Sequence, residues 1–487
     1  MAARRYLWKI DKWNGGMADD LKTGGLGAFA YGDGFDIRDE SGLLQVAAKP
    51  VKDSDATVDQ LAKWIELNPT NNDMYAYAGD EIYKETGGTY SLARSLSGDS
   101  PAGQGLADFD GYLYYSRDTI LGRFDYASTW TDSWQTGLSS SPWHPKLRFK
   151  NLLLVGHGRY VGTVDGVGTG TAQALVLPPG YHVRSMFRVG RYAAILCTRG
   201  SSISDSEEGM LFFWDGTSGT YNDFMPVPGN PHAGIALNNK IVVIAGVQPK
   251  ILESQGGEFQ VVQEIPRVAV GKTAEVWPGA IDVWRNLVHF GISDGTSTEV
   301  LRMVHNWGTK NGKFDLATGP VLNAEYPTSA GVKAGTGVQI GAIKKIGTTI
   351  RFAWKSASSY GIDEVDTTLF QDSATYRSLI FDRESAYEKI ASKIVIELAG
   401  KLKTNEQVDV KITRTPYDDK DFADSANYIT GSLTTANKTK LELSLEEKNV
   451  AMRSRDLALE ITLGGSASTK PKAKRAWVEF TEDADVL

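Results

Sequence analysis

The sequence predicts an all-β protein: a β-propeller of about seven blades followed by a C-terminal antiparallel β-sandwich. Three observations predict this fold. A loose unit of short aromatic or β-branched runs recurs about every 40 residues. The composition combines 51 glycines with 20 tyrosines and 12 tryptophans, which favours tight turns and pleated, half-buried surfaces. The last part of the chain alternates apolar and polar residues, as half-buried antiparallel strands do.

Residues 1–70 are predicted to form a strand segment and a short helix, joined to the propeller. Arg4 and Arg5 are not followed by an apolar stretch, so we expect no secretory signal and synthesis in a cytoplasm. Within residues 52–66 the apolar positions have near-helical spacing, which predicts the helix. These positions are Val58, Leu61, Ala62, Trp64 and Ile65.

Residues 71–375 are predicted to form the propeller. Each copy of the repeat has one run, a break and a second run that ends at a turn residue, which is typical of a β-hairpin. One blade cannot bury both of its faces alone, so neighbouring blades must stack. A set of unrelated hairpins in a β-sandwich is the alternative. The copies begin near Asp73, Asp110, Asn151, Arg191, Lys240, Asn286 and Thr348.

Residues 376–487 are predicted to form the C-terminal β-sandwich. In this part of the chain the composition shifts towards Lys, Glu, Thr and Leu, and five segments have a period of two residues. Segments of this length with one apolar face are half-buried antiparallel strands. The predicted strands are 393–398, 408–413, 440–445, 457–463 and 475–480.

Charge and cysteine content exclude several classes of protein. The net charge is −7 and no long basic stripe occurs, so specific nucleic-acid binding is not expected. Cys197 is the only cysteine, which excludes a disulfide framework and a thiolate metal site within one chain. It lies in the apolar run 192–197, which predicts a buried structural thiol. No run is long enough to span a bilayer.

The search for chemistry predicts no catalytic, cofactor-binding or metal-ligating residue. Glycoside hydrolysis needs two positioned carboxylates, but spacing cannot identify a pair whose members lie on different blades. Asp215-Gly216 and Asp294-Gly295 have the character of turns. The histidines form no close metal-binding pair and fall in different repeats. They are His144, His157, His182, His232, His289 and His305.

Other motifs favour ordinary structural roles. The glycine-rich segments 24–27 and 166–170 lack the Gly-Lys-Ser/Thr ending of a phosphate-binding loop and are predicted to be flexible loops. The basic cluster within 470–475 is followed by acids and is predicted to be a solvated loop. Trp130, Trp134 and Trp143 could offer stacking surfaces to a glycan, but packing inside the fold is favoured.

The opening segment carries a resemblance to a known group of proteins. Trp13-Asn14-Gly15-Gly16-Met17 is followed by the segment 32–38, Gly-Asp-Gly-Phe-Asp-Ile-Arg, and then by Ser41-Gly42-Leu43-Leu44. An extended start with a Gly-Gly turn, a strand and a Gly-Leu hairpin tip ahead of the blades resembles tail and neck proteins of tailed bacteriophages. The sandwich after the propeller is similar to the appended domains of such virion proteins.

The resemblance implies a virion structural protein of a bacteriophage tail, of the nozzle, tail-tip or adaptor type. Its partners would be other tail or neck proteins and further copies of itself in a ring. The insertions 199–209 and 310–336 would supply partner-specific contacts. Two alternatives remain open: a propeller glycosidase or lyase that acts on host surface polysaccharide, and a carbohydrate-binding receptor module.

Overall fold

The computed structural model describes two compact units of the chain. Unit 1 comprises residues 1–50, 306–321 and 365–487, and unit 2 comprises residues 51–305 and 322–364. The structure describes all residues except 1–4, 14, 16–17, 19–21, 23–26, 38–41, 53–57, 97–102, 201–207, 265–274, 293–302, 311–312, 322–338, 357–358, 383–387, 415, 417–419, 446–451, 467 and 484–487.

Seven four-stranded sheets follow one another along the chain. In chain order, the first three are β6 (Ala62–Leu67), β7 (Met74–Ala78), β8 (Glu81–Thr86) and β9 (Thr89–Ser95); β10 (Gly105–Phe109), β11 (Tyr112–Arg117), β12 (Ile120–Phe124) and β13 (Trp130–Thr136); β14 (Lys146–Phe149), β15 (Leu152–His157), β16 (Tyr160–Asp165) and β17 (Gly170–Val176).

The next three sheets repeat the same order. They are β18 (Tyr181–Val189), β19 (Tyr192–Arg199), β20 (Gly209–Trp214) and β21 (Asp223–Val227); β22 (Pro231–Leu237), β23 (Lys240–Ala245), β24 (Lys250–Gln255) and β25 (Glu258–Glu264); β26 (Ile281–Trp284), β27 (Leu287–Gly291), β28 (Met303–Lys310) and β29 (Lys313–Val321).

The seventh sheet takes its last strand from the N-terminal part of the chain. Its order is β30 (Gln339–Ile346), β31 (Thr349–Ser356), β32 (Ser359–Phe370) and β5 (Ala48–Lys52).

The prediction of many small antiparallel sheets is confirmed. The two runs recognised in each repeat are the second and third strands of one sheet, as with β15 and β16, which pair from Leu152 with Asp165 to His157 with Tyr160. The first and last strands of each sheet flank this hairpin.

Two-residue turns join the first and second strands in six of the seven sheets. In three of these turns both residues have positive φ: Asp110-Gly111, Asn238-Asn239 and Arg285-Asn286. This is the backbone of a type I′ turn, whose twist matches that of the paired strands. Asn, Asp and Gly tolerate positive φ best, so the local sequence sets most of these hairpins.

The core of unit 2 lies between neighbouring sheets. The second strands are buried on both faces, as the fully buried run Met74–Ala78 illustrates, whereas last strands such as β9 alternate with exposed residues. Separate apolar clusters fill the gaps between sheets one and two, two and three, three and four, and four and five. A further cluster joins Met74 and Tyr83 of the first sheet to Ala353 and Ile362 of the seventh.

The seven first strands contact one another in sequence, and β30 of the seventh sheet also contacts β6 of the first. Glycine permits this close approach. A Cβ on Gly341 would lie 2.1 Å from the carbonyl oxygen of Ala62, and one on Gly279 would lie 2.3 Å from that of Lys63. The first strands are therefore where residues from different sheets meet.

Unit 1 contains two further sheets. The seven-stranded sheet has the order β3 (Phe35–Asp36), β4 (Leu44–Val46), β40 (Lys472–Asp483), β34 (Glu388–Leu398) and β37 (Lys440–Ser444), with β1 (Arg5–Ile10) paired to β40 and β38 (Met452–Ser454) paired to β34. The five-stranded sheet has the order β2 (Phe29–Asp33), β33 (Ser373–Ser378), β39 (Ala458–Gly464), β35 (Gln407–Thr413) and β36 (Tyr428–Leu433), and the short helix α1 (Lys420–Ala423) follows β35.

The five strands predicted after residue 376 are confirmed as β34, β35, β37, β39 and β40. Residues 1–70 were predicted to be joined to the propeller: β5 and β6 do belong to the seventh and first four-stranded sheets, whereas β1, β2 and β4 pair with strands from the C-terminal part of the chain and β3 pairs with β4. β1, for example, runs antiparallel to β40 from Arg5 opposite Thr481 to Ile10 opposite Ala476. Trp13, which is fully buried, donates its Nε1–H to the carbonyl oxygen of Lys474 at 3.2 Å.

The helix predicted within residues 52–66 is wrong where the structure describes that segment, because Ala62–Leu67 is the strand β6. The register between β6 and β7 shifts between Ala62 and Trp64, which is a β-bulge. The bulge breaks the two-residue alternation, so Ala62 and Ile65 are both buried at a spacing of three, which resembles a helix.

The two predicted insertions differ in outcome. Residues 200–208 do connect β19 to β20. The segment 310–336 is not one insertion, because Lys313–Val321 forms β29, and residues 322–336 lie outside the described part of the chain.

Candidate functional site

Five residues meet where the first strands of four sheets begin; we call them the Lys63 cluster. Lys63 lies on β6 and Arg184 on β18, whereas Trp143, Glu275 and Trp277 directly precede β14 and β26. The two indole rings contact each other at a centroid distance of 5.1 Å and an interplanar angle of 71°.

The ammonium group of Lys63 packs against both indoles. Its Nζ lies 4.2 Å from the centre of the Trp277 ring and 5.4 Å from that of Trp143. Burial lowers the pKa of Lys63, and the neighbouring Glu275 opposes this shift. A cation–π contact contributes about 0.5–2 kcal/mol. Lys63 is half-buried rather than buried.

Arg184 is buried and has several partners. Its guanidinium donates to Glu275 Oε1 at 2.6 Å and to the carbonyl oxygen of His232 at 2.9 Å. It also lies 4.8 Å from the centre of the Trp143 ring. Burial lowers the pKa of Arg184, and the ion pair with Glu275 opposes that shift. This pair holds the beginnings of the fourth and sixth sheets together.

A second group of charges lies towards the other end of the first strands. Lys344 Nζ lies 3.2 Å from Glu66 Oε2, and the Lys345 N–H donates to Asp282 Oδ2 at 2.7 Å. Glu66 raises the pKa of Lys344, whereas burial raises the pKa of Asp282. These contacts connect the first, sixth and seventh sheets, so we interpret them as structural.

A buried polar group lies between the second and third sheets. His144 is fully buried, and desolvation lowers its pKa to about 3. Its Nε2 lies 3.0 Å from the carbonyl oxygen of Ser139, while its Nδ1 has no hydrogen-bond partner among the described residues. Lys146 Nζ donates to Ser116 Oγ at 2.6 Å, and burial lowers the pKa of Lys146 well below its usual range.

The other histidines for which bonds are described have structural contacts. His157 accepts a hydrogen bond from the Ser139 N–H at 2.8 Å and contacts the carbonyl oxygen of Ala172 at 2.7 Å. His232 contacts the carbonyl oxygen of Gly246 at 2.7 Å. Within the described ranges no group of three or more His, Cys, Asp or Glu side chains could hold a metal ion.

The tryptophans considered for glycan stacking pack on protein rings. Trp130 stacks on Phe124 at 4.1 Å, and Trp134 contacts Tyr114 at 5.4 Å. Trp143 belongs to the Lys63 cluster. The predicted packing inside the fold is confirmed for Trp143, which is buried, whereas Trp130 and Trp134 are half-buried on β13.

Two other local predictions can be compared with the structure. Cys197 is fully buried in β19, and burial raises the pKa of its thiol, which confirms a structural role. Residues 166–169 form a turn between β16 and β17 in which the Val167 and Thr169 N–H groups donate to Asp165 Oδ1. Most of 24–27 lies outside the described residues.

Unit 1 contains an open cavity of about 280 Å³. Its aromatic walls include Trp8 and Phe381, whose rings stack at 4.7 Å, and Tyr376. Lys22, at its rim, is paired with Asp456 at 3.3 Å and with Asp382 at 3.8 Å. The cavity therefore has an aromatic wall, and the positive charge of Lys22 at its rim is balanced by the carboxylates of Asp456 and Asp382.

Of the Lys63 cluster, only Trp143 was singled out from the sequence. The other four residues have no common local motif: Lys63 and Arg184 lie on β6 and β18, and Glu275 and Trp277 both precede β26. What these residues share is their position, because each lies on a first strand or just before one. The repeat pattern in the sequence identifies only the second and third strands, so it could not reveal this position.

No helix within the described segments has the length and apolarity needed to cross a membrane. No protein-family model matches the chain, and no curated protein matches it.

Among solved structures, the chain is similar to the extracellular domain of a hybrid two component system of B. thetaiotaomicron, with 10% identity and a TM-score of 0.47 over 73% of this chain and 44% of that chain. It is also similar to BamB from Moraxella catarrhalis, with 10% identity and a TM-score of 0.41 over 70% and 99% of the two chains. It is similar as well to the computationally designed Ika8 protein, with 14% identity and a TM-score of 0.38 over 66% of this chain and 96% of that chain. This chain thus spans less than half of the bacterial extracellular domain, and likenesses of this degree assign it no activity or partner.

Proposed function

We propose that this chain is a structural subunit of a bacteriophage tail, of the nozzle, tail-tip or adaptor type. It is made in the host cytoplasm and acts in the virion, without catalysis, through contacts with other tail or neck proteins in a homo-oligomeric ring. The observation that carries the proposal is the unequal length of the connections at the two ends of the seven sheets.

Antiparallel strands alternate in direction, so the connections of each sheet fall at two opposite ends. The end that joins first to second strands has two-residue turns in six sheets. The longest connections between strands of these sheets are 265–280, 292–302 and 322–338, and all three belong to the other end. Long surface segments on a rigid scaffold are where binding functions concentrate.

The three long connections also flank one part of the molecule. They precede, interrupt and follow the sixth sheet, between β25 and β26, β27 and β28, and β29 and β30. All three connections therefore adjoin the sixth sheet in the chain, and the proposed contact region is at that sheet.

The proposed architecture of the seven four-stranded sheets is a closed propeller of seven blades, in which residues 306–321 of the sixth sheet are grouped with unit 1. The contact between β30 and β6, and the apolar cluster shared by the first and seventh sheets, support closure. The strand β5 completes the seventh sheet from the other end of the chain, which links closure to folding of the whole unit. Closure protects the sheet edges and gives a rigid body suited to assembly.

The proposed architecture of unit 1 is a β-sandwich of its two sheets. Phe29 and Tyr376 of the five-stranded sheet contact Phe35 of the seven-stranded sheet at ring distances of 5.1 and 6.0 Å. Interdigitated rings from two inner faces are the usual core of such a sandwich.

Genetic deletion tests the proposed role. The coding sequence is removed from the phage that carries it, and particles are examined by electron microscopy and plating. We expect particles that lack part of the tail and do not infect, with both properties restored by the wild-type gene supplied in trans. Complete, infectious particles formed without this chain would contradict the proposal.

A further inference from the structure

One edge of the strand β1 borders the open cavity of unit 1. In the part of the chain that the structure describes, β1 pairs with β40 and with no other strand, so residues 7–10 are paired along one edge only. The lining of the cavity includes the consecutive residues Trp8, Lys9 and Ile10. Successive side chains of a strand point to opposite faces, whereas the edge is common to all of them. The cavity therefore lies along the second edge of β1, where an edge strand presents backbone N–H and C=O groups for pairing.

The opposite wall of the cavity is largely apolar. It includes Phe381, whose ring stacks on Trp8 at 4.7 Å, and Ile380, which is buried. The hydroxyl of Ser378 in the same wall already donates to the carbonyl oxygen of Leu379 at 2.8 Å. The cavity volume of about 280 Å³ lies just below the range of about 300–1,000 Å³ that is typical of small-ligand pockets. A space of this size and character suits one large apolar side chain.

The charges around the cavity leave one ammonium group without an ion pair. Lys22 is balanced by two aspartates, and Lys9 is paired with Asp11 at 2.6 Å. Lys12, which also lines the cavity, is exposed and forms no ion pair with the described residues. The rim therefore favours a ligand that carries a carboxylate close to its apolar group.

We propose that the edge of β1 and the adjoining cavity bind an extended segment of a partner protein. The segment adds a strand beside β1 and places a large apolar side chain in the cavity, with an acidic residue close enough to pair with Lys12. Backbone hydrogen bonds provide affinity in this mode of recognition, and side-chain pockets provide specificity. The inference rests on the proposed function in that the partner is a protein, and it assigns a contact to unit 1.

Fluorescence anisotropy of labelled peptides with the full chain tests the site. The probe is the peptide Thr-Val-Asp-Thr-Phe-Thr-Asp-Val-Thr, and its relatives have alanine in place of phenylalanine or lysine in place of both aspartates. We expect the phenylalanine peptide to bind and the alanine peptide to bind roughly tenfold more weakly or worse, because it buries less apolar surface. The lysine peptide should bind roughly threefold more weakly, because it cannot pair with Lys12.

Hydrogen–deuterium exchange with mass spectrometry locates the bound peptide. Exchange in β1 should slow when the phenylalanine peptide is present, because an added strand accepts hydrogen bonds from the amides at that edge. The strand β37 lies at another edge of the same sheet and provides the internal control, since its exchange should not change. Slower exchange in β37 without any change in β1 would overturn the inference.

Two variants test the two parts of the site. Ala28 lines the cavity, so Ala28→Phe should fill the space and reduce the affinity for the phenylalanine peptide roughly tenfold or more. Lys12→Glu should reverse the preference, so that the lysine peptide binds more tightly than the aspartate peptide. Lys401→Glu is the matched control, because Lys401 is also an exposed lysine of unit 1 but does not line the cavity, and it should leave both affinities unchanged.

The outcome is separate from that of the tail role, because the titrations use purified protein and the deletion test uses particles. If Ala28→Phe fails to fold by circular dichroism, the charge reversal in Lys12→Glu and the exchange of the wild type provide the same test. No binding of the phenylalanine peptide at millimolar concentration, or equal affinities for the phenylalanine and alanine peptides, would overturn the inference.

Discussion

Gly341, in the first strand of the seventh sheet, passes so close to Ala62 of the first sheet that a Cβ at Gly341 would lie 2.1 Å from the Ala62 carbonyl oxygen. The obstacle is backbone, which cannot rotate away as a side chain can. The contact joins strands that lie far apart in the sequence. It is therefore a direct probe of whether the seven sheets close on one another.

Gly341→Ala should destabilise the protein by about 1–3 kcal/mol, because the added methyl group forces the two first strands apart. Gly219→Ala is the control, since nothing lies within 4 Å of a Cβ at that position, and should change stability by less than about 0.5 kcal/mol. Urea unfolding followed by tryptophan fluorescence measures both. Equal stability of Gly341→Ala and wild type would show that the first and seventh sheets are not in contact.

The Tyr77 hydroxyl connects the first and second sheets. It is buried and donates to the carbonyl oxygen of Ser116 at 3.1 Å. Tyr77→Phe removes this bond and leaves the ring in place, so we expect a loss of about 1 kcal/mol in the free energy of unfolding. Tyr181→Phe provides the comparison, because the described residues give that hydroxyl no hydrogen bond, and should be nearly neutral. A neutral Tyr77→Phe would argue against the packing of these two sheets.

His144 should make stability depend on pH. Burial lowers its pKa from 6.5 to about 3 in the folded protein, so between these values the unfolded state binds more protons. The free energy of unfolding therefore falls as the pH decreases through this window, by on the order of 1.4 kcal/mol per pH unit from this group. Below about pH 3 His144 is protonated in both the folded and the unfolded state, so this group causes no further change in stability.

A His144→Gln variant removes this contribution. We expect the stability difference between wild type and variant to become less favourable to wild type as the pH falls from about 7 to about 4, measured by urea unfolding at several pH values. Burial also lowers the pKa of His157. His157, Lys146 and the carboxylates contribute to the pH dependence of stability in both proteins, so the comparison isolates His144. Parallel stability curves for the two proteins would refute the assignment to His144.

Cys197 should be unreactive in the folded protein. The thiol is fully buried in β19, and burial raises its pKa, so both access and thiolate formation are opposed. A disulfide reagent such as dithionitrobenzoate should label less than about one tenth of the thiol in buffer and one thiol per chain in urea. Rapid labelling without denaturant would place Cys197 at the surface instead.

The strands that the sequence predicted best are those buried on both faces. The run Tyr192–Cys197 is continuously apolar because neighbouring sheets cover both sides of β19, and such a run is visible without knowledge of the fold. First strands such as Lys146–Phe149 are short and chemically mixed, so no periodic pattern identifies them. Some residues of a first strand lie between two neighbouring sheets, and others lie where the first strands of several sheets meet.

Long-range pairing was outside the reach of sequence patterns. Arg5 lies opposite Thr481, and nothing local to either segment specifies that partner. The same limit applies to the Lys63 cluster: Lys63, Arg184 and Trp277 come from segments far apart in the sequence that meet where the first strands begin. The misread helix at Ala62–Leu67 has a different cause, namely the bulge that converts a strand's alternation into a spacing of three.

The central claim is that the chain works as an assembled part of a phage particle. Peptide mass spectrometry of particles purified from the phage that encodes the chain tests this most directly. We predict that its peptides remain with density-purified particles, in a fixed whole-number ratio to the other tail proteins. Purified infectious particles that contain none of this chain, while the protein is found free in the lysate, would contradict the account.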